Sequence, residues 1–294
     1  MSRNNKSRMG ARKAPDAPIA AAQETGQANK PVGLTFVVPT EHVDLPSKGM
    51  YYPDGHPLKG KETIEIRHMT AKDEEILTSR TLLRKGIAID RLLQAVIVDK
   101  RISISDLLVG DKNAVLVMTR MLAYGADYSA KIACPSCEET SVFNFNLAAG
   151  ANFHPDSLEE SEVEGFTKVD DSTFAFLLPK TQVLAHVRLL TGDDENYLAK
   201  IMESRKKKKL LGTLGDSILT EQMKRAIVTL NGVSDRGQIS EFIMNMPAAD
   251  ARYFRTTYAK LVPNYDLTQE FECPHCGAIS DVEVPLTAEF FWPK

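Results

Sequence analysis

The chain carries only four cysteines in 294 residues, and they form two C-P-x-C pairs, Cys134 with Cys137 and Cys273 with Cys276. Two thiolates spaced this closely on a turn converge on one point, and two such turns facing each other supply the closed tetrahedral shell of a structural zinc. A four-thiolate shell keeps no position open for water, so this chemistry is structural and not hydrolytic. The expectation is one structural Zn2+ per chain on Cys134, Cys137, Cys273 and Cys276, with His275 turned to solvent. Placing every cysteine in such pairs suits a reducing cytosol, where metal ligation is commoner than disulfide bonding. The competing chemistry is dithiol redox, in which the first cysteine opens a helix after a strand. Both pairs here instead lead through polar residues into alternating segments, 142–147 and 281–286.

Distance along the chain is the objection to a shared centre, since 135 residues separate Cys137 from Cys273, whereas compact zinc motifs close roughly 12 to 20. Loop closure grows only with the logarithm of length, so going from about 17 to about 135 residues costs about 1.8 kcal/mol. Structural zinc contributes an apparent value of about 10 to 16 kcal/mol. The longer loop is a minor term, provided the segments between the pairs dock.

The elements that must do this docking are read from periodicity and breakers. Residues 34–38 and 63–69 have strand character, and Pro39, Pro46, Gly49, Pro53, Gly55 and Pro57 break the stretch between them. Thr70 reads as a helix N-cap with Asp73 at N3 and Glu74 and Glu75 behind it, where carboxylates favour the positive end of the helix dipole. Ile76, Leu77, Leu82 and Leu83 give that helix an apolar face up to Gly86. A second apolar run covers 89–98, Ser105 caps a short turn, and Asp111 caps a longer helix ending at Gly125. Residues 150–165 read as an acidic surface loop, and 173–178 with 183–190 as a hairpin around Pro179, Lys180 and Thr181. Helices follow at 193–211 and 216–230, Ile239, Phe242, Ile243 and Met246 mark a short helical face, and Pro247 opens a last helix reaching about Leu261.

Two stretches repeat. Residues 64–77 align without gaps on 185–198, with Arg67/Arg188, Thr70/Thr191, Asp73/Asp194, Glu74/Glu195 and Leu77/Leu198 identical. Further on, Ile104-Ser105-Asp106-Leu107-Leu108 parallels Ile239-Ser240-Glu241-Phe242-Ile243, and the cysteine pairs follow in the same order. The expected fold is therefore α+β, with two quasi-repeated halves, each of strands, then helices, then a C-P-x-C zinc knuckle, joined by one four-cysteine zinc site. Its divisions are a disordered basic tail (1–32), a turn-rich β arm (33–69), a first helical half with a knuckle (70–147), an acidic loop and hairpin (148–192), and a second helical half with the other knuckle and an aromatic C-terminus (193–294).

Composition narrows the function. Hydrophobic residues make up 43% and charged residues 26%, an ordinary globular balance, and no stretch is long and apolar enough for a membrane span. The tail holds Arg3, Lys6, Arg8, Arg12, Lys13 and Lys30 against Asp16 and Glu24, with no aromatic residue to seed a core. Lacking a continuous apolar segment, it is no secretory signal, so the expected compartment is the cytoplasm of synthesis. Arg205, Lys206, Lys207, Lys208 and Lys209 form the dense basic run. With no aromatic residue interleaved for base stacking it reads first as a solvated helix face, and nucleic-acid phosphate binding is the alternative function. The histidines at 42, 56, 68, 154 and 186 fall in no HExxH or Ser/His/Asp setting, and Gly110-Asp111-Lys112 lacks the glycines and hydroxyl of a P-loop. No catalytic residues are identified and the expected protein is not an enzyme. Tyr51, Tyr52 and Pro53 in the turn-rich arm, and Phe290, Phe291 and Trp292 at the end, are of the type that anchors a protein partner or packs on the body; both readings stand.

The run from Val43 to Gly55, V-D-L-P-S-K-G-M-Y-Y-P-D-G, and the run from Ile66 to Arg80 resemble the T4-type bacteriophage baseplate hub family, whose members are described as hub subunits or hub assembly chaperones. The likeness continues through Leu107 to Ala114, Tyr124-Gly-Ala-Asp-Tyr128, Cys134-Pro-Ser-Cys137 and the terminal Phe290-Phe-Trp-Pro293. It covers 36–147 firmly and the second half loosely, and the first 32 residues lie outside it. The resemblance implies a non-enzymatic structural or assembly protein of a tailed phage, with other tail and baseplate hub proteins as partners. It implies action in the host cytoplasm during assembly, and it leaves open a place in the finished tail baseplate.

Overall fold

The computed structural model describes residues 37–155, 165–209, 218–286 and 288–291. The basic tail at 1–32, the charged part of the acidic loop and Trp292 lie outside the described residues. The fold is α+β throughout.

β1 (Thr40–Asp44) and β2 (Thr63–Arg67) form an antiparallel hairpin, and Ile97 bridges to Ile66 on the other edge of β2. Arg67 ends β2 and forks onto the Asp73 carboxylate at 2.6 and 2.8 Å, while Asp73 also accepts the Thr70 N–H at 2.8 Å. A charge-assisted, bidentate pair thus ties the strand to the first turn of α1 (Ala71–Thr78), where the Thr70 and Asp73 pattern predicts a helix start. That helix does not run on to Gly86. Ser79 adopts ψ 105 and divides α1 from α2 (Arg80–Arg84), leaving Leu83 39% exposed. α3 (Ala88–Val96) buries Leu92, Leu93 and Val96.

α4 (Val109–Tyr124) carries Val115 and Val117, both wholly buried. Asp111 is the third residue of α4 and not its cap. Its buried carboxylate accepts Ser47 N–H (2.9 Å), Ser47 Oγ (2.5 Å) and Tyr52 Oη (2.7 Å), which fixes the turn after β1. Burial raises the Asp111 pKa, against the pull of these donors. β3 (Asp127–Ala133) and β4 (Thr140–Asn146) follow as a hairpin. β5 (Ala151–Phe153) then pairs with β10 (Asn264–Asp266), so the expected loop at 150–165 begins as a strand. Its partner lies far along the chain, where local pattern gives no sign of it.

β6 (Thr167–Lys168), β7 (Thr173–Leu177), β8 (Leu184–Arg188) and β9 (Ile227–Leu230) make an antiparallel sheet in that order. The hairpin around residues 179–181 is as the alternation predicts. The helix expected at 216–230 is shorter: α6 (Ile218–Ala226) gives way to β9, because β-branched Ile227, Val228 and Thr229 suit a place beside β8. α5 (Gly192–Lys209) precedes it; α7 (Arg236–Asn245) and α8 (Ala248–Leu261) follow, α8 with Pro247 as its N-cap. β11 (Thr268–Glu272) and β12 (Ile279–Glu283) form the last hairpin.

The same bonding recurs. Arg188 forks onto Asp194 at 2.7 and 2.8 Å and Asp194 accepts the Thr191 N–H at 3.0 Å, as Arg67, Asp73 and Thr70 do. Thr40 stands opposite Arg67 and Thr173 opposite Arg188; Ile97 stands opposite Ile66 and Ile227 opposite Val187. Asp250, third in α8, accepts Lys180 N–H (2.7 Å), Thr181 N–H (2.9 Å) and Thr181 Oγ1 (2.7 Å) from the turn after β7, as Asp111 does from the turn after β1. Ile104 to Leu108 forms a turn while its sequence counterpart, Ile239 to Ile243, lies in α7, so that match does not extend to conformation.

The two parts of the chain meet backbone to backbone. Val109 N–H donates to Leu190 O (3.1 Å), Gly192 N–H to Leu107 O (2.9 Å) and Asp193 N–H to Ser105 O (2.8 Å). A Cβ on Gly110 would lie 1.9 Å from Pro263 O, so only glycine admits this approach. Lys112 reaches Asp90 (2.7 Å) and Glu195 (3.0 Å) across the same junction.

Candidate metal centre

Each cysteine pair sits at the tip of a hairpin. Cys134 N–H donates to Glu139 O and Glu138 N–H to Cys134 O, both at 2.9 Å; Cys273 with Ala278 and Gly277 with Cys273 repeat these bonds at the same length. The turns need a left-handed residue after the second cysteine, filled by Glu138 (φ 62) in one and Gly277 (φ 68) in the other. Two-stranded hairpins this short are marginal alone. Here Phe143 packs edge-on to Phe271 with ring centres 5.4 Å apart, and the Gln269 side chain bridges the hairpins by donating to Asn146 O (2.8 Å) and accepting from Asn146 N–H (3.1 Å).

This docking brings all four sulphurs within 4.8 Å of one another. Cys134 Sγ lies 3.7 Å from Cys276 Sγ and Cys137 Sγ 3.7 Å from Cys273 Sγ, so the first cysteine of each pair faces the second of the other. Tetrahedral bonds of about 2.3 Å to a zinc ion imply sulphurs about 3.8 Å apart, so the donor set fits a closed thiolate shell. Cys134 and Cys273 are buried, Cys137 half-buried and Cys276 exposed. Backbone N–H groups of Cys137 and Ser136 pull the Cys134 thiol down to about 6. The Glu139 N–H pulls on Cys137 too, but burial and the neighbouring sulphurs outweigh it and push that thiol up to about 12. Thiols this close share protons, and a cation can take the protons' place. His275 is exposed and takes no part in the cluster.

The aromatic residues read either as partner anchors or as packing on the body are, where described, packed on the body. Tyr51 is 3% exposed, and Tyr52, Phe290 and Phe291 are 1% exposed. The tyrosines are drawn in because Tyr52 Oη bonds Asp111 and Tyr51 packs on Phe174 (5.5 Å); Phe290 seats against Tyr128 (5.0 Å), and its carbonyl accepts Arg120 Nε at 2.9 Å. Of that set Pro53 is exposed. The basic run from Arg205 to Lys209 ends α5, and its side chains lie outside the described part. The pairing of Asp111 with Asp250 escaped sequence reading, which takes Asp111 only as a helix cap. Each aspartate stands 23 residues before the first cysteine of its knuckle, a spacing that would have revealed the pairing.

A paired set of strand-to-helix clamps and a tetracysteine cluster that could hold a metal ion describe a packed scaffold. Residues 40–292 match the family described as T4 bacteriophage base plate protein, and the chain belongs to that family. No curated protein and no solved structure matches it. Membership supports a structural phage baseplate protein that contacts other tail proteins. Among the described residues no helix is long and apolar enough to cross a membrane.

Proposed function

We propose that this chain is a non-enzymatic subunit or assembly factor of the baseplate hub, held together by one structural zinc and working through protein contacts in the host cytoplasm during assembly. The observation that carries the zinc reading is the reciprocal meeting of the two knuckles, with four sulphurs within 4.8 Å of one another. The hub reading rests on the resemblance of the runs at 43–55 and 66–80, within a family match spanning 40–292.

The reading includes two related halves clamped by the metal, within the divisions drawn from the sequence. It is supported by the twin Arg-Asp-Thr clamps, the equivalent strand registers, the twin buried aspartates and the reciprocal sulphur pairs. With Tyr51, Tyr52, Phe290 and Phe291 committed to the core, partner binding falls to other surfaces.

Two measurements test this. Protein purified under reducing conditions should hold about one zinc per chain, and Cys273→Ser should abolish it; metal-free protein of unchanged stability overturns the staple. Mass spectrometry of purified virions, beside a pull-down from infected cells, separates a resident hub subunit from a factor that leaves. Recovery in neither virions nor hub complexes overturns the hub assignment.

A further inference from the structure

Two buried hydroxyls near the cysteine cluster have no partner among the described residues. Ser141 Oγ and Ser280 Oγ are sealed from solvent and make no hydrogen bond among the described residues. Buried polar groups are nearly always satisfied, so an orphan points to a partner absent from the protein itself, an ion or a bound water. Their positions match: Ser141 stands opposite Ile132 in the first hairpin and Ser280 opposite Phe271 in the second. Each is two register steps below the pair that closes its knuckle, Cys134 with Glu139 and Cys273 with Ala278. Strand alternation puts each serine on the same inward face as the first cysteine of its own pair.

The electrostatics ask for donors there. Four thiolates around a divalent cation leave a doubly negative centre, and such centres are tuned by hydrogen bonds to sulphur. Ser136 N–H reaches Cys134 Sγ at 3.4 Å, and the N–H groups of Glu139 and Ala278 bond Cys137 and Cys276. The charged side chains flanking the knuckles, Glu138, Glu139, Glu270, Glu272 and Lys131, are all exposed and screened by water. Diagonal neighbours across a hairpin lie about 7 to 8 Å apart at Cα and closer at the side chains, a gap spanned by rotation about χ1 or by one ordered water.

We propose that Ser141 and Ser280 are the outer shell of the metal centre, each donating its hydroxyl proton toward the thiolates once a cation is bound. They are positioning residues, not ligands. The inference rests on the zinc reading and is tested apart from it by titrating the full-length protein with Co2+ against a chelator and recording the thiolate-to-cobalt charge-transfer band. Ser141→Ala and Ser280→Ala should each weaken Co2+ binding about 10-fold and shift the band, with Ser141→Thr, which keeps the hydroxyl, staying within about twofold. In the metal-free protein the alanine variants should be as stable as the parent or more so, since they delete an uncompensated buried hydroxyl. Alanine variants with unchanged affinity and band, or with metal-free stability reduced, overturn the outer-shell role. A parent protein that takes up no Co2+ overturns the metal reading itself.

Discussion

Phe290→Ala separates the two fates open to the aromatic C-terminus. The ring is 1% exposed, lies 5.0 Å from Tyr128 and 5.5 Å from Phe291, and its backbone carbonyl holds the buried Arg120 guanidinium. Truncating a buried phenylalanine costs about 3 to 5 kcal/mol from lost transfer energy and the cavity left behind, and lost edge-on aromatic contacts are worth about 0.5 to 1.5 kcal/mol beyond area burial. The backbone bond to Arg120 survives the substitution, which favours the middle of the range, about 4 kcal/mol. With a urea m-value of about 3 kcal/mol/M, that moves the unfolding midpoint down by about 1.3 M at unchanged slope. Equilibrium urea unfolding followed by fluorescence and by circular dichroism reads the shift, and coincidence of the two probes checks that the transition is two-state. A midpoint change below about 0.3 M would refute the packing and return Phe290 to the surface as a partner anchor.

The strand-to-helix clamps make an acid-range prediction. Burial raises Asp73, but the Arg67 fork and the Thr70 N–H outweigh it and hold the carboxyl at about 2; Asp194 is lowered in the same way. A carboxylate with a depressed folded pKa contributes stability that is present above its unfolded value and lost as pH falls through the folded one, so stability should drop between about pH 4 and pH 2. Asp73→Asn should remove about 2 kcal/mol at neutral pH and flatten that fall; an unchanged profile in urea melts across pH contradicts the clamp. Gly110→Ala should cost about 1 to 3 kcal/mol by forcing α4 away from Pro263, read as a lower thermal midpoint, and an unaltered midpoint would show that the junction yields.

Much of this is legible in the sequence because the signals are local. Thr70 with Asp73 and Thr191 with Asp194 announce their helix starts, and the twin C-P-x-C pairs announce a shared centre whose hairpins the alternation at 142–147 already outlines. What escapes depends on partners far along the chain. β5 is a strand because β10 lies beside it, Tyr51 and Tyr52 are buried because Asp111 and Phe174 draw them in, and residues 227–230 leave helix because β8 offers an edge. Asp111 reads as a cap since an aspartate near a helix start usually is one. Its capture of a turn 64 residues upstream requires the docked fold.

The position of the cysteines decides what a metal held there would stabilise. Val43, Leu45, Tyr52, Leu92, Leu93 and Val115 belong to the same buried cluster as Cys134 and Cys273, but they stand on other elements of the chain, which have apolar burial of their own to hold them. The hairpins at 127–146 and 268–283 are two-stranded, with outward faces that are polar apart from Ala133, Val142 and Ile279, and they depend on Phe143, Phe271, Gln269 and the cluster. Removing the cation should therefore loosen these hairpins before the rest of the chain, as a local opening unit. Hydrogen exchange followed by mass spectrometry, with and without a chelator, should show faster exchange in both hairpins and unchanged protection in α3 and α4. Uniform acceleration would instead make the metal a keystone of the whole fold, and no change in the hairpins would mean that their packing suffices without it.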